Sequence, residues 1–246
     1  MTHHPIERRQ LAVVTAGLSQ PSSTRLLADR LTEAVRRHVD VDGAVDSDVD
    51  VRVIELRGLA NDIAHNMLTG FPAHHLRDAI DSVTGADGLI AVTPVFTGSY
   101  SGLFKSFFDI VDKDALAGTP VLAAATGGTA RHSLVLEHAM RPLFAYLRAI
   151  VVPTAVYAAS EDWGTADSGS GNGSSSAIDG TLAARIDRAG AELAALMNSR
   201  PSRPAQAGGA TADADTGADT DAGTDAGADD EVVPFAEQLA ALGVRG

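Results

Sequence analysis

An α/β protein built on a doubly wound parallel sheet is the fold class that the sequence predicts. Short apolar runs alternate along the chain with longer segments whose apolar residues recur every three or four positions. These are the signatures of buried strands and of amphipathic helices. Two of the apolar runs end directly at loops, beginning at Gly17 and Thr126. Alternating strands and helices of this kind build an open parallel sheet covered by helices on both faces.

Five strands and five helices are predicted. The second strand has valines that alternate with polar residues, which indicates a half-exposed strand, while the others are continuous apolar runs. We expect the flavodoxin-like strand order 2-1-3-4-5, in which the first and third strands flank the point where the winding reverses. The predicted strands are Leu11–Thr15, Val49–Val53, Leu89–Val92, Pro120–Ala125 and Val151–Ala158. The predicted helices are Ser22–Val39, His74–Val83, Leu103–Val111, His132–Leu147 and Ile178–Met197.

Composition restricts the class of protein. The 246 residues carry a formal net charge of −13 and include no cysteine, so disulfides and thiolate chemistry are excluded. Nucleic-acid binding is disfavoured because it needs a basic surface for the phosphates. No apolar run is long enough to span a membrane, and residues 1–10 lack the charged-then-apolar order of a signal peptide. We therefore expect a cytoplasmic protein that does not bind membranes.

The chain is expected to have three parts. Residues 1–200 form the folded domain, which is interrupted at about 165–176 by a flexible insertion rich in glycine and serine. Residues 205–231 hold eight acidic residues and no Lys or Arg. With almost no apolar bulk, the segment 201–231 is expected to be a disordered acidic linker. Apolar residues return in 232–246, which is expected to be a short apolar C-terminal segment.

The first candidate site runs from Gly17 to Arg25, between the first predicted strand and the first helix. Hydroxyl side chains crowd the start of that helix, where free N–H groups and the helix dipole favour a phosphate. The stretch lacks the G-x-G-x-x-G spacing of a dinucleotide site and the lysine of a nucleotide triphosphatase loop, which favours a mononucleotide such as FMN. The alternative is that a serine merely caps the helix. The candidate phosphate ligands are Ser19, Ser22, Ser23 and Thr24.

The second candidate site follows the third predicted strand, from Thr93 to Lys105. Pro94 fixes the backbone and biases Thr93 towards an extended conformation, while Gly98 would allow a flat ring to approach closely. Backbone N–H groups in such a loop can bond to a flavin and stabilise the charge of its reduced form. An ordinary strand-to-helix turn is the alternative. The candidate ring contacts are Pro94, Val95, Phe96, Thr97, Gly98, Ser99 and Tyr100.

The third candidate site follows the fourth predicted strand and consists of Thr126, Gly127, Gly128 and His132. Adjacent glycines permit a ligand to approach the backbone. His132 could meet a nicotinamide ribose or phosphate, and a solvent-facing residue at a helix start is the alternative. The strands that precede the three sites are neighbours in the order 2-1-3-4-5. Because the carboxyl ends of parallel strands share one edge, we expect the three loops to form one crevice.

Three motifs resemble, in order, those of NAD(P)H-dependent FMN reductases of the flavodoxin-like superfamily. The resemblance covers about residues 10–160 and implies FMN and NAD(P)H as cofactors. It also implies that Ser19, Ser22 and Thr24 bind the FMN phosphate and that Pro94, Val95, Phe96 and Thr97 border the ring. The motifs are G-L-S-x-P-S-x-T-x-L at 17–26, T-P-x-F-x-x-S-Y-S-G-x-F-K at 93–105 and T-G-G at 126–128.

The activity that the resemblance implies is hydride transfer from the nicotinamide to flavin N5. This reaction needs no acid, base or nucleophile from the protein, so no catalytic residue is expected. Enzymes of this family supply reduced flavin to two-component monooxygenases and are commonly dimers or tetramers. A flavin-dependent monooxygenase and further copies of the chain are therefore the expected partners. Two alternatives stay open: a related quinone or azo-dye reductase, and an electron-transfer protein that binds FMN without catalysis.

No metal site is expected from the placement of the histidines. His74 and His75 are adjacent, so their side chains should point apart on a helix. His132 and His138 are six residues apart, whereas one helical face requires a separation of three or four.

Overall fold

The computed structural model describes residues 9–39, 49–163 and 181–200. All of them belong to one unit that extends from Met1 to Pro204. No helix among these described residues is both long and apolar enough to cross a membrane. Three predicted segments fall outside the described residues, namely the insertion at 165–176, the acidic linker at 201–231 and the C-terminal segment at 232–246.

The described residues form one seven-stranded sheet with six α-helices around it. The strands are β1 (Arg9–Thr15), β2 (Val49–Glu55), β3 (Gly88–Phe96), β4 (Ser99–Tyr100), β5 (Pro120–Gly127), β6 (Ile150–Val151) and β7 (Val156–Ala159). The α-helices are α1 (Ser23–His38), α2 (Ala60–Thr69), α3 (His74–Thr84), α4 (Gly102–Asp109), α5 (Arg141–Tyr146) and α6 (Leu182–Asn198). Shorter helical turns are the 3-10 segments Leu56–Leu59, Ala130–His132 and Ser160–Trp163, and the π-helix Leu136–Met140.

The sheet has the order β2-β1-β3-β5-β6, and these strands run parallel. Strand β7 also pairs in parallel with β5, while β4 pairs antiparallel with β3. The predicted α/β class and parallel sheet are confirmed. The predicted set of five strands in the order 2-1-3-4-5 is wrong, because two features add a strand each.

The first added strand, β4, belongs to a hairpin. Val95 pairs with Tyr100 and Phe96 pairs with Ser99. The two residues between them, Thr97 and Gly98, have φ values of 51° and 78°. Positive φ at both central positions is typical of the type I′ turn that closes two-residue β-hairpins. A segment that was predicted as a loop therefore folds back onto the end of β3.

The second added strand arises because the predicted strand 151–158 is split into β6 and β7 around Pro153. Proline has no N–H to donate to a neighbouring strand. The next residue, Thr154, turns its N–H and its hydroxyl away from the sheet, and both donate to the carboxylate of Glu192 at 2.7 Å. The side chain of Arg141 donates to the carbonyl oxygen of Val152 at 3.0 Å. These contacts hold the interruption in place.

Two helical regions also differ from the prediction. The predicted helix 132–147 is replaced by the 3-10 turn, the π-helix and α5. The regular helical pattern is interrupted before α5, because Pro142 cannot bond back to the carbonyl of His138 and its ring crowds that group. A wider π turn precedes this proline. Helix α2 has no predicted counterpart. Its sequence does carry apolar residues at helical spacing (Ala60, Ile63, Ala64, Met67 and Leu68), but only Ile63 and Asn66 of its ten residues are buried.

The two faces of the sheet carry different cores. Alternate residues of β1 point to opposite faces, so Leu11 and Val13 join the aliphatic cluster beneath α1 and α6, whereas Ala12 and Val14 join the other cluster. That second cluster holds four buried phenylalanines, with ring centroids 4.8–6.4 Å apart in the contacting pairs. Both faces are therefore buried, which leaves the loops at the strand ends as the accessible part of the sheet. The phenylalanines are Phe104, Phe107, Phe108 and Phe144.

Candidate functional site

One cavity of about 420 Å³ lies at the carboxyl edge of the sheet. The loops after β1, β3, β5 and β7 form its walls, so the three loops predicted to converge do meet there. This volume is within the range of small-molecule pockets. None of the residues that line the cavity is charged. They are Gly17, Leu18, Ser19, Ser23, Thr24, Pro94, Val95, Phe96, Thr126, Gly127, Gly128, Ser160 and Trp163.

The loop after β1 places hydroxyl groups around the first turn of α1. Ser22 is the N-cap: its Oγ accepts a hydrogen bond of 3.2 Å from the backbone N–H of Arg25. Ser22 is absent from the cavity lining and faces an adjoining surface cavity. Ser19 and Ser23 are exposed and line the main cavity. They are therefore the freer hydroxyls of the predicted set.

Thr24 has a partner inside the protein. It is only 2% exposed, and its Oγ1 lies 2.9 Å from Oγ1 of Thr126. This buried hydrogen bond joins the first turn of α1 to the end of β5. It fixes the distance between the first and third candidate loops.

Gly17 is required by a close approach within the first loop. A Cβ atom at this position would lie 2.1 Å from Oγ of Ser22 and 3.1 Å from Cβ of Thr24. The backbone of the loop therefore lies against the helix cap itself. The side chain of Arg57 donates to the carbonyl oxygen of Leu18 at 3.3 Å and supports the loop from the opposite side.

Arg25, at the end of the first loop, has a positive charge that is already paired. Arg25 donates to Asp29 at 2.8 Å and also forms an ion pair with Glu55. The hydrogen bond to Asp29 is the main reason that the pKa of Arg25 is raised. Because the cavity itself has no charged wall, an anion there would be held by hydroxyls, backbone N–H groups and the dipole of α1.

The hairpin after β3 divides the second candidate site. Pro94, Val95 and Phe96 line the cavity, and the side chain of Phe96 is 47% exposed. The other predicted ring contacts do not line it; they are Thr97, Gly98, Ser99 and Tyr100. Tyr100 instead packs towards the phenylalanine cluster, with its ring centroid 5.9 Å from that of Phe104.

The base of the hairpin is fixed by a hydroxyl pair. The backbone N–H of Ser101 donates to Oγ1 of Thr93 at 3.0 Å, and both residues are buried. Oγ of Ser101 in turn caps α4 by accepting from the N–H of Phe104 at 3.2 Å. The end of β3 is therefore held in one position.

The third loop is shaped by Tyr157 of β7. The hydroxyl of Tyr157 donates to the carbonyl oxygen of Thr129 at 2.8 Å, and burial raises the pKa of this tyrosine. A Cβ atom on Gly127 would lie 2.1 Å from that hydroxyl, so the tyrosine requires glycine at this position. Gly128 has open space instead. His132 is exposed and does not line the cavity.

Two lining residues, Ser160 and Trp163, lie outside the three predicted loops. They belong to the 3-10 turn that directly follows β7. A signal did exist, because Trp163 is the only tryptophan of the chain and lies just after the last predicted strand. The tryptophan reaches the cavity because β7 pairs with β5, and this pairing brings the turn beside Gly127 and Gly128. The sequence does not reveal that pairing.

The side chains of the first two histidines of α3 were expected to point apart, but they lie close together. Nitrogen atoms of His74 and His75 and a carboxylate oxygen of Asp78 lie within 4.8 Å of one another. His74 Nδ1 is 2.9 Å from Asp78 Oδ2, and the His74 side chain is 83% exposed. The group lies at the N-terminal end of α3, where the helix dipole disfavours a cation.

The parallel sheet and the cavity at its carboxyl edge are features of flavodoxin-like α/β proteins, whose ligand crevices lie outside the carboxyl ends of the strands. The sequence profile of the family described as NADPH-dependent FMN reductase matches residues 10–164. The chain belongs to this family and is an NAD(P)H:FMN oxidoreductase. FMN and NAD(P)H, the predicted cofactors, are confirmed by the match.

Similar proteins agree with this assignment. The FMN reductase (NADPH) of Pseudomonas aeruginosa is 38% identical over 154 residues, covering 63% of this chain and 78% of the relative. The NADH-dependent FMN reductase SfnF of Pseudomonas fluorescens is 34% identical over 154 residues, with the same coverage. The X-ray structure of an oxidoreductase from Corynebacterium diphtheriae matches with a TM-score of 0.69 and 46% identity, covering 79% of this chain and all of the other.

Proposed function

We propose that the cavity at the carboxyl edge of the sheet is where this protein binds FMN and reduces it with NAD(P)H. The observation that supports this most is the geometry of the lining: the first turn of α1 and the end of β3 face one cavity. Ser19, Ser23 and the N–H groups of α1 would take the phosphate. Pro94, Val95 and Phe96 would border the ring, and Thr126, Gly127 and Gly128 would close the third side.

The residues present fit a flavin mononucleotide. Its phosphate can be bound by hydroxyl and N–H donors at a helix start without a lysine. Its ring needs a flat, largely apolar wall with backbone groups at hydrogen-bonding distance, and Pro94, Val95 and Phe96 offer such a wall. A Cβ atom on Gly128 would meet nothing within 4 Å. The open space beside this residue leaves room for a second planar group.

In this arrangement the protein binds and orients the reactants. Bound FMN supplies the hydride-accepting atom, so no acid, base or nucleophile of the protein is assigned. The hydrogen bond between Thr24 and Thr126 fixes the first turn of α1 to the end of β5, and the one between Ser101 and Thr93 fixes the base of the hairpin. Fixed separations favour transfer because two planar rings must meet at a defined distance and angle.

The reduced flavin is proposed to leave and to serve a flavin-dependent monooxygenase. The resemblance of the three loop motifs to reductases of two-component systems supports this role. A related reductase of quinones or azo dyes is the second candidate, since a similar protein of Staphylococcus haemolyticus, 32% identical over 95 residues, is named an FMN-dependent NADPH-azoreductase.

We also propose that the protein is a homodimer or homotetramer. Support comes from large apolar side chains that are exposed at the end of α2, where Leu68 is 88% and Phe71 is 75% exposed. Clustered exposed apolar residues often mark a protein interface. Light scattering coupled to size-exclusion chromatography of the full chain tests this proposal: a monomer at micromolar concentration would contradict it.

Anaerobic reduction of excess flavin tests the proposed reaction. NADH and NADPH are each mixed with the protein and a large excess of FMN, FAD or riboflavin. We expect all of the added FMN to be reduced by catalytic amounts of protein. Reduction of only one equivalent per chain would contradict an exchanging flavin, and reduction of a quinone or azo dye but not of free FMN would favour the second candidate.

A further inference from the structure

The 3-10 turn Ser160–Trp163 forms a fourth wall of the cavity. Trp163 is half-buried and is the only tryptophan in the chain. Its turn is not one of the three motif loops on which the proposed cofactor site was built.

Hydrogen bonds from both sides hold this turn in place. The carboxylate of Asp162 accepts from the backbone N–H of Ala159 at 2.8 Å and from the side chain of Arg185 on α6 at 3.4 Å. Ala159 pairs with Gly127 across β5 and β7. The turn therefore lies beside the third cofactor loop and is attached to both the sheet and α6.

The indole ring of Trp163 lies against α1. The guanidinium carbon of Arg30 is 5.0 Å from the ring centroid, which is within the range of a cation–π contact. Arg30 and Ser23 are seven residues apart, so they share one face of the helix two turns from each other. Trp163 thus extends along α1 towards the turn that carries Ser23 and Thr24.

We propose that Trp163 is part of the flavin-binding site and contacts bound FMN, and that Arg30 is the positioning residue that holds the indole in place. Among the residues that line the cavity, Phe96 and Trp163 are the aromatic ones, and they come from loops on different strands. Arg30 does not line the cavity, but its guanidinium lies 5.0 Å from the centroid of the indole that does. This inference rests on the proposed function, because it requires FMN in this cavity.

The expected effect is on affinity. Loss of one aromatic contact corresponds to roughly a 3- to 10-fold change in the dissociation constant. We expect Trp163→Ala to raise the dissociation constant for FMN by about that factor. The dissociation constant of Trp163→Phe should stay close to that of the unmodified protein. Arg30→Gln should weaken FMN binding by a smaller factor and shift the wavelength of the Trp163 emission maximum. In Arg30→Lys, both the affinity and the emission maximum should stay close to those of the unmodified protein. The matched control is Tyr146→Ala, which removes an aromatic ring that is 72% exposed and absent from the cavity lining.

The test is a titration of the flavin-free full-length protein with FMN, followed by flavin emission and by tryptophan emission. Flavin emission reports binding wherever the ring lies. Tryptophan emission reports proximity, because flavin absorbs where tryptophan emits. A second reporter, the double variant Trp163→Phe/Tyr146→Trp, places the single tryptophan on α5 and should be quenched less than Trp163. Free tryptophan amide corrects for absorption by FMN.

Each outcome decides the inference. The inference is supported if Trp163→Ala binds FMN more weakly and if FMN quenches Trp163 more strongly than the relocated tryptophan. Equal affinities for Trp163→Ala and Tyr146→Ala, or equal quenching of the two reporters, overturns it and leaves the proposed function standing. If Trp163→Ala does not fold, the two reporters decide. Absence of FMN binding by the unmodified protein overturns the proposed function itself.

Discussion

The loop after β1 and the hairpin after β3 both carry glycines and hydroxyls, but they use them differently. In the first loop, Gly17 lies against the cap of α1, and Thr24 is bonded to the end of β5. In the hairpin, only the residues before the turn line the cavity, while Thr97 and Gly98 form the turn itself. The first loop is thus attached to the core at its two ends, Gly17 and Thr24, whereas the turn of the hairpin is exposed.

This difference shows why residue type alone is a poor guide to a binding role. A glycine or a hydroxyl near a strand end can serve a ligand, a helix cap or a turn. Ser22 caps α1, and Gly127 is required by the hydroxyl of Tyr157. Substitutions in the first loop should therefore alter stability and binding together, whereas those in the hairpin should separate the two.

The largest effect is expected from Gly17→Val. The new side chain would meet Ser22 and Thr24 at distances shorter than van der Waals contact, and overpacking of this kind costs roughly 1–3 kcal/mol. We expect a loss of about that size in the free energy of unfolding, measured in urea, and loss of FMN binding. Gly58→Ala is the control, since a Cβ there meets nothing within 4 Å. Unchanged stability of the Gly17→Val protein would contradict the close packing of this loop.

The next effect is expected at the third loop, where Gly127→Ala should be partly rescued by removing a hydroxyl. The added methyl group would collide with the hydroxyl of Tyr157, at a cost of about 1–2 kcal/mol. Tyr157→Phe alone loses one hydrogen bond, worth about 1 kcal/mol. We expect the double variant to be more stable than the sum of the single changes predicts. Additive losses in urea denaturation would mean that the two residues do not meet.

A smaller effect is expected from Phe96→Ala, on the cavity side of the hairpin. Loss of one aromatic contact should raise the dissociation constant for FMN by roughly 3- to 10-fold. Because the side chain is 47% exposed, the melting temperature should hardly change. Fluorescence titration and thermal denaturation of the same sample provide both quantities. If the protein is destabilised and FMN affinity is unaffected, Phe96 belongs to the core and not to the site.

The smallest effect is expected from Thr97→Asn, one residue further along. A β-branched residue at a φ of 51° is strained, and Asn-Gly is the preferred pair for a type I′ turn. We expect a gain of up to about 1 kcal/mol in the free energy of unfolding and no change in FMN affinity. A clear change in affinity would show that the turn reaches the bound flavin.

The sequence predicted the sheet and the meeting of three loops because both depend on local patterns. Strand periodicity, glycine after the apolar runs and hydroxyls at a helix start are all visible without long-range pairing. The hairpin was missed because its turn requires positive φ at Thr97, which a threonine does not suggest. Trp163 was missed because its place in the cavity depends on the pairing of β7 with β5.

Several predicted site residues do not line the cavity because the backbone turns away from it. The motif at 93–105 continues through the hairpin turn, so the chain reverses after Phe96, and Tyr100 returns towards the phenylalanine cluster. His132 lies one 3-10 turn beyond Gly128 and faces solvent. The order of a motif along the chain does not reveal where the backbone reverses direction.

The proposed function depends most on binding of the FMN phosphate by the hydroxyls beside the first turn of α1. The most direct measurement compares the dissociation constants of FMN and riboflavin for the unmodified protein and for the variant Ser19→Ala/Ser23→Ala. A hydrogen bond to a charged group contributes about 1.5–3 kcal/mol, so the variant should bind FMN at least about tenfold more weakly. Its affinity for riboflavin, which has no phosphate, should stay nearly the same. Equal weakening of both ligands, or of neither, would contradict the assignment.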